Sequence, residues 1–307
     1  MKSVTSYTNS NWHEDRGRRL GILLIVCLAV SFVISGCSSK DAVENQEVRN
    51  LSELKVHFLD VGKADAILVQ FDDQFMLVDT GLDETEDVVW EYLKDVGVSK
   101  LTCIVATHPD KDHIGGADMV LLKVPTERLL VSPISKDSSY YEAMMRTADM
   151  ISVPVEIPQV GDSWQLGEAS VTVIGPGEAA LETEDKNEGS LILYISYRDV
   201  AFLLMGDAKN VSEKELMRSG FDISADVIKV GHHGSKKASS FDFVKKVSPQ
   251  IAVISCGYKK GETLPDSKTL DTLMFLGVRT YRTDLDGTIV VSTDGEQINV
   301  MTENPRN

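Results

Sequence analysis

Cysteine is scarce in this chain, with four in 307 residues. Cys27 and Cys37 fall in and just after an N-terminal apolar stretch, so only Cys103 and Cys256 remain for the body of the protein. Two thiols cannot make a disulfide framework. Both lie in apolar runs, which predicts buried free thiols, with a single bridge between them as the alternative in an oxidising compartment. Positive charge is also short: 31 Lys+Arg against 47 Asp+Glu leave a net charge of −16, a balance that repels polyanions from the molecule as a whole. Internal repeats and low-complexity blocks are missing, while a hydrophobic fraction of 42% is ample for a globular core. Histidine is sparse too, at six, and where those six stand matters below.

The N-terminus reads as a targeting segment. Arg16, Arg18 and Arg19 precede an uncharged apolar run over residues 20–34. That run is shorter than the ~20 residues that cross a hydrocarbon core, so cleavage is expected rather than a spanning anchor. Ser35-Gly36-Cys37 resembles the bacterial lipoprotein signal, which implies removal of residues 1–36 and lipidation of Cys37. An ordinary secretory signal is the alternative. Residues 37–53 are polar and without apolar periodicity, as a flexible tether would be. The expected place is therefore the extracytoplasmic face of the cell membrane, with the membrane itself a partner through the lipid.

From residue 54 to 307 the pattern is that of one α/β (α+β) domain. Residues 56–60, 66–71 and 75–78 read as strands, and 84–96 as a helix stopped by Gly97. A strand at 101–106, a helix at 113–122, a strand at 128–132 and a helix at 139–149 follow. Then come strands at 163–166, 171–174, 191–197 and 200–205, a helix at 211–219 and a strand at 226–230. Helices at 241–247 and 267–276 alternate with strands at 251–255, 278–281, 287–292 and 297–301. Residues 178–188 are acidic and weakly patterned, which predicts a loop bordering the site. Two strand-rich halves without a Pro/Gly/Ser linker predict two sheets packed face to face with helices outside.

Chemistry is concentrated at three predicted strand ends. Thr107-His108-Pro109-Asp110-Lys111-Asp112-His113 follows an apolar strand and places His108, Asp110, Asp112 and His113 close together, an arrangement able to hold one ion or two. A solvated acidic helix start would be the plain alternative. The apolar run 201–205 ends in Gly206-Asp207, whose carboxylate would be costly to leave unpaired inside. Val230-Gly231-His232-His233-Gly234-Ser235 repeats the arrangement with imidazoles. Of the other two histidines, His13 lies in the leader and His57 lies mid-strand, where a packed or solvated side chain is expected.

With Asp79-Thr80-Gly81 upstream, these motifs resemble the metallo-β-lactamase superfamily. More narrowly, the run 56–62, Asp65-Ala66, Thr107-His108, the Asn187 and Ser190 region, Gly206-Asp207-Ala208 and His232-His233-Gly234-Ser235 resemble the stand-alone metallo-hydrolase domain of ComEC-type DNA-uptake proteins. The resemblance implies a four-layer αββα sandwich with a divalent metal, Zn or Mn, as one or two ions. It implies the ligands His108, Asp110, Asp112, His113, Asp207, His232 and His233, and a metal-bound hydroxide as nucleophile. Asp112 or Asp207 would orient that nucleophile and His233, if not a ligand, would protonate the leaving group. Asp65, Asn187, Ser190, Ser235 and Lys236 would lie toward the substrate.

Three departures qualify this. Asp110 stands at the superfamily's usual second histidine and, as an oxygen ligand, favours a harder ion such as Mn²⁺. No histidine occurs between His113 and His232 or after His233, so a second ion would be weakly held. Lys63 falls where the narrower group has Gln-Gly. Lys229, Lys236, Lys237, Lys245, Lys246, Lys259 and Lys260 face the single acid Asp242 over residues 229–260, a cationic rim suited to a phosphodiester or DNA. The expected activity is metal-dependent phosphodiester hydrolysis. The alternatives are hydrolysis of a lactone, thioester or phosphocholine ester, and a non-catalytic surface lipoprotein with a decayed metal site.

Overall fold

Alternate residues of the apolar strands divide between separate hydrophobic cores, and that division builds the fold. In the computed structural model the described residues are 52–258, 261 and 263–305. The leader 1–36, Cys37, most of the 37–53 tether, and Lys259 and Lys260 of the lysine rim lie outside them. The chain first lays down β1 (Leu54–Phe58), β2 (Ala66–Phe71), β3 (Gln74–Thr80), β4 (Cys103–Ala106), β5 (Leu129–Val131) and β6 (Val155–Glu156). A second set follows: β7 (Ser163–Leu166), β8 (Ala169–Gly175), β9 (Ile192–Tyr197), β10 (Val200–Leu204), β11 (Val227–Lys229), β12 (Ile251–Ile254) and β13 (Arg279–Arg282). The last two strands, β14 (Ile289–Thr293) and β15 (Ile298–Thr302), return to the first sheet.

The first sheet has the order β15-β14-β1-β2-β3-β4-β5-β6 and the second β13-β12-β11-β10-β9-β8-β7. Pairing in the first is antiparallel up to β3 and parallel from β3 to β6. In the second it is antiparallel from β7 to β10 and parallel from β10 to β13. Parallel strands let the loops after β3, β4, β10 and β11 gather at the carboxyl ends of the strands.

Between the sheets, Val56, Phe58, Ile67, Val69, Val78 and Val105 meet Val171, Ile195, Phe202 and Val253 in one core. The residues one step along point the other way. Leu68, Leu77, Ile104 and Leu129 lie with Val89 and Leu93 of α1 (Glu86–Val96), Ile114 of α2 (Lys111–Ile114), Val120 of α3 (Ala117–Lys123) and Met144 of α4 (Ser139–Met150). On the far side, after α5 (Glu178–Leu181), Leu203, Ile228 and Ala252 pack with Leu216 of α6 (Asn210–Leu216), Phe243 of α7 (Phe241–Val247) and Leu273 of α8 (Ser267–Phe275). A short α9 (Thr283–Asp286) follows β13. Each such buried aliphatic or Phe side chain contributes ~1.5–3 kcal/mol. The four layers are those expected from the strand pattern and the resemblance.

Differences from the sequence reading have local causes. The helix expected over 113–122 is divided into α2 and α3 because Gly115 N–H also donates to Gly81 O (2.9 Å), tying the turn to the loop after β3. Residues 178–188 are not a plain loop: they hold α5, where Glu215 Oε1 and Oε2 accept from the Ala179 and Ala180 N–H groups, and the start of a 3₁₀ turn at Lys186–Gly189. The edge strand β6 and α9 are too short to leave a periodic signal. Cys103 and Cys256 are both buried and free, so the bridge does not form. Among the described residues no helix is long and apolar enough to cross a membrane.

Candidate metal centre

Each motif reaches the site because a strand ends beneath it. β3 ends at Asp79-Thr80, β4 leads through Thr107-His108 into α2, β10 leads into Asp207, and β11 leads into the His232-His233 turn. Backbone strain accompanies this convergence: Asp79, His232 and His233 have φ of 58°, 46° and 51°. Left-handed geometry is costly for such residues and persists where surrounding contacts hold it, commonly at functional sites. Gly231 permits the approach of the last two loops, since a Cβ there would lie 2.4 Å from Ala208 O.

The side chains converge on Asp207. Its Oδ2 lies 3.7 Å from His108 Nε2 and 3.7 Å from His232 Nε2. Its Oδ1 lies 3.4 Å from His113 Nε2 and 3.6 Å from His233 Nε2. Among the described residues, donor atoms lying within 4.8 Å of one another form the groups His108/His113/Asp207, Asp112/His113/His233 and Asp65/Asp79/His113. The Nε2 atoms of His108, His113 and His233 and Oδ1 of Asp207 are buried with no hydrogen-bond partner. Four convergent, unsatisfied donors of this kind are costly in a closed protein interior. A divalent cation fits His108, His113 and Asp207, whose donor atoms form one group.

The ring nitrogens facing away are held. His113 Nδ1 is 2.7 Å from Asp79 Oδ2, and Asp79 also accepts from Thr107 N–H (2.8 Å) and Thr107 Oγ1–H (2.7 Å). His233 Nδ1 is 3.0 Å from Ser255 O, and His108 Nδ1 is 3.3 Å from Thr107 Oγ1. Such partners orient an imidazole and leave its other nitrogen free for a metal. Asn187 Nδ2 donates to Asp207 Oδ2 (3.4 Å), and Ser190 Oγ accepts from Asp207 N–H (3.1 Å).

Electrostatics follow the geometry. Burial pushes the Asp207 carboxyl up, but the imidazoles of His233 and His113 outweigh it and hold the group well below the usual range. Burial likewise opposes ionisation of Asp112, which His233 and His113 reverse. His113 is pulled down by burial yet raised overall by Asp207 and Asp79. His108, lacking so close a counter-charge, is pushed down to about 4 by burial and by His113.

The structure brings His108, Asp112, His113, Asp207, His232 and His233 together. Asp110 has its Oδ1 2.8 Å from Lys136 Nζ and belongs to none of the donor groups. Asp65 is fully buried behind the site, 2.8 Å from Lys229 Nζ. Lys229 is therefore no part of a rim, whereas Lys236 and Lys237 are exposed. Ser235 is mainly a turn residue: its N–H donates to His232 O and its Oγ accepts from Lys237 N–H. His57 is packed, its Nδ1 2.8 Å from Tyr92 Oη.

Sequence reasoning missed Glu188, the orienting role of Asp79, and the pairing of Lys63, noted there only as a departure, with Asp112 at 3.0 Å. Glu188 is buried, and its carboxylate accepts from the N–H groups of Lys209, Val211 and Ser212 and from Ser212 Oγ. It joins the Asn187/Ser190 turn to the segment after Asp207. A lone acid in an acidic stretch carries no signal of this.

An αββα sandwich with histidines and aspartates grouped at its strand ends defines the class, and the chain belongs to the metallo-beta-lactamase superfamily, whose pattern matches residues 59–258. Within it the chain is similar to competence proteins of the ComEC type. It is 30% identical over 256 residues to ComE operon protein 3 of Bacillus subtilis, covering 78% of this chain and 33% of the relative. It is 28% identical over 240 residues to Competence protein ComA of Neisseria gonorrhoeae, covering 78% and 32%. The chain thus spans about a third of the length of these relatives. In fold alone it is similar to the metallo-beta-lactamase fold protein YhfI of Bacillus subtilis (TM-score 0.54, 11% identity, 78% of this chain and 100% of that one). It is also similar to CmlA, a diiron beta-hydroxylase of Streptomyces venezuelae (TM-score 0.52, 13% identity, 81% and 54%).

Proposed function

We propose that the protein is a metal-dependent hydrolase of phosphodiesters, nuclease-like in activity, held at the extracytoplasmic face of the cell membrane by lipid on Cys37. The observation that carries the hydrolase reading is the set of unsatisfied Nε2 atoms on His108, His113 and His233 around the Asp207 carboxylate. His108, His113 and Asp207 would hold a divalent ion, Zn or Mn, with His233 beside them. Such an ion lowers the pKa of water to ~7 and polarises a phosphoryl oxygen.

The chain's own residues do the rest. Asp79, Thr107 and Ser255 fix the ring orientations, while Asn187 and Ser190 fix Asp207. His233 is fully buried, which supports a place in the wall of the metal site over proton delivery. His232, with a side chain 21% exposed, is the imidazole that meets an incoming substrate. Exposed Lys236 and Lys237 next to this turn support attraction of a phosphodiester to a protein whose net charge of −16 otherwise repels it. The similarity to competence proteins supports DNA as the natural form of that substrate.

The test is elemental analysis of protein purified without chelator, followed by assay on a bis-aryl phosphodiester and on single-stranded DNA with each ion restored. Turnover that His108→Ala abolishes is expected; equal rates in the variant would refute the reading. For the anchor, Cys37→Ala should move the protein from membrane to soluble fraction, and unchanged fractionation would remove the lipid.

A further inference from the structure

Asp112 and His233 are grouped with His113 as a second set of donor atoms, and because His113 Nε2 can bond only one ion, a second ion would rest on Asp112 and His233 beside Asp207. An ammonium already approaches it. Lys63 Nζ lies 3.0 Å from Asp112 Oδ2, the same oxygen that is 3.6 Å from His233 Nε2. The Lys63 side chain is only 10% exposed. Its backbone is held close to the end of β12: a Cβ on Gly257 would lie 2.6 Å from Gly62 Cα and 2.7 Å from Lys63 N, so only glycine allows the approach.

Charge points the same way. Asp65, Asp79, Asp112 and Asp207 are the carboxylates of the three donor groups. Lys229 faces Asp65 at 2.8 Å and Lys63 faces Asp112 at 3.0 Å. Two carboxylate charges remain, which one divalent ion neutralises. A second divalent ion at Asp112 would have to displace the Lys63 ammonium or sit beside it against like-charge repulsion.

We propose that Lys63 stands in for a second metal ion: the site takes one divalent cation at His108, His113 and Asp207, and the Lys63 ammonium holds Asp112 and faces the phosphodiester's anionic oxygens. This rests on the hydrolase reading above and specifies its metal count and a substrate-facing group. In the hydrolysis, a water oxygen bonds to phosphorus as the bond from phosphorus to the leaving oxygen breaks. One water proton ends on the leaving oxygen and the other passes from the new phosphomonoester oxygen to solvent. Lys63 keeps its own protons throughout and acts through charge.

The test is metal stoichiometry after equilibrium dialysis against Mn²⁺ or Zn²⁺, in the full chain and in Lys63→Met, Lys63→Gln and His108→Ala. The wild type is expected to hold one ion per chain. Both Lys63 variants should take up a second, with affinity at that position raised roughly tenfold or more once the competing ammonium is gone. With one ion bound, their turnover of a bis-aryl phosphodiester should fall on the order of 10²-fold and recover in part as the second position fills. Two tight ions in the wild type would overturn the proposal whether or not the variants fold. So would a folded Lys63 variant that stays at one ion at every concentration, provided His108→Ala has lost that ion. A wild type without metal, or a His108→Ala protein with unchanged stoichiometry, would instead sink the metal-site reading beneath it.

Discussion

Replacing Glu188 by glutamine takes one acceptor oxygen from a buried junction beside the metal centre. Oε2 accepts from Lys209 N–H (3.1 Å), Ser212 N–H (3.0 Å) and Ser212 Oγ–H (2.7 Å), and Oε1 accepts from Val211 N–H (3.1 Å). In its best arrangement the amide oxygen of Glu188→Gln takes the Oε2 place and the NH₂ group faces the Val211 N–H, donor against donor. One charge-assisted hydrogen bond is lost, worth ~1.5–3 kcal/mol, and the other three weaken toward neutral strength. Loss of the negative charge at the start of α6 adds ~0.3–1 kcal/mol, while the smaller desolvation cost of an amide offsets part of the total. The net loss is about 2–4 kcal/mol. Urea unfolding of the chelated protein reads it directly, and Ser212→Ala, which removes only the hydroxyl shared between Glu188 Oε2 and Glu188 O, should cost about 1 kcal/mol. Because Asn187 and Ser190 flank Glu188 and hold Asp207, the Gln variant should also bind metal more weakly. A Glu188→Gln loss below about 1 kcal/mol with unchanged metal affinity would refute the reasoning.

Three further outcomes follow from the same geometry. Asp79→Asn keeps its shape but weakens the hold on His113, so metal affinity by calorimetric titration should drop about 10–100-fold; wild-type affinity would show that Asp79 does not orient the ring. Gly231→Ala puts a methyl 2.4 Å from Ala208 O and must push the His232-His233 turn from Asp207, costing about 1–3 kcal/mol in unfolding free energy together with bound metal. His57 has its pKa lowered to about 4, chiefly by burial, with the Gln70 hydrogen bond opposing and Lys55 adding to it. A base depressed in the folded state takes its proton more readily when unfolded. Its stabilisation is therefore full above the unfolded pKa of ~6.5 and is lost as pH falls from there to about 4, by about 3 kcal/mol. His57→Leu compared with wild type in chelator should show a stability difference that changes over that window, and a flat difference would contradict the assignment.

Much of the αββα architecture could be read in the sequence because strands buried on both faces leave continuous apolar runs, and helices such as α1 carry their own stop at Gly97. Boundaries failed where a tertiary contact overrode local preference, as at Gly115, or where an element such as β6 was too short to show a period. The chemical types in the site were legible for a similar reason. His108, His113, Asp207, His232 and His233 are rare residue types placed directly after apolar runs, and a strand end is where a side chain can turn into a shared cavity.

Linear order alone could not decide which neighbour each of these residues meets. Asp110 and Asp112 stand two apart in one motif, yet Asp110 turns to Lys136 and Asp112 turns inward to Lys63 and His233. Lys229 and Lys236 belong to one basic run, yet the first is sealed against Asp65 and the second is in water. Glu188 looks like any acid of an acidic stretch until the fold closes it over the segment after Asp207. Sequence thus determined the kinds of group available and the strand ends that carry them. Only packing decided which charges face each other, because long-range pairing depends on distances that exist once two sheets have closed on a common core.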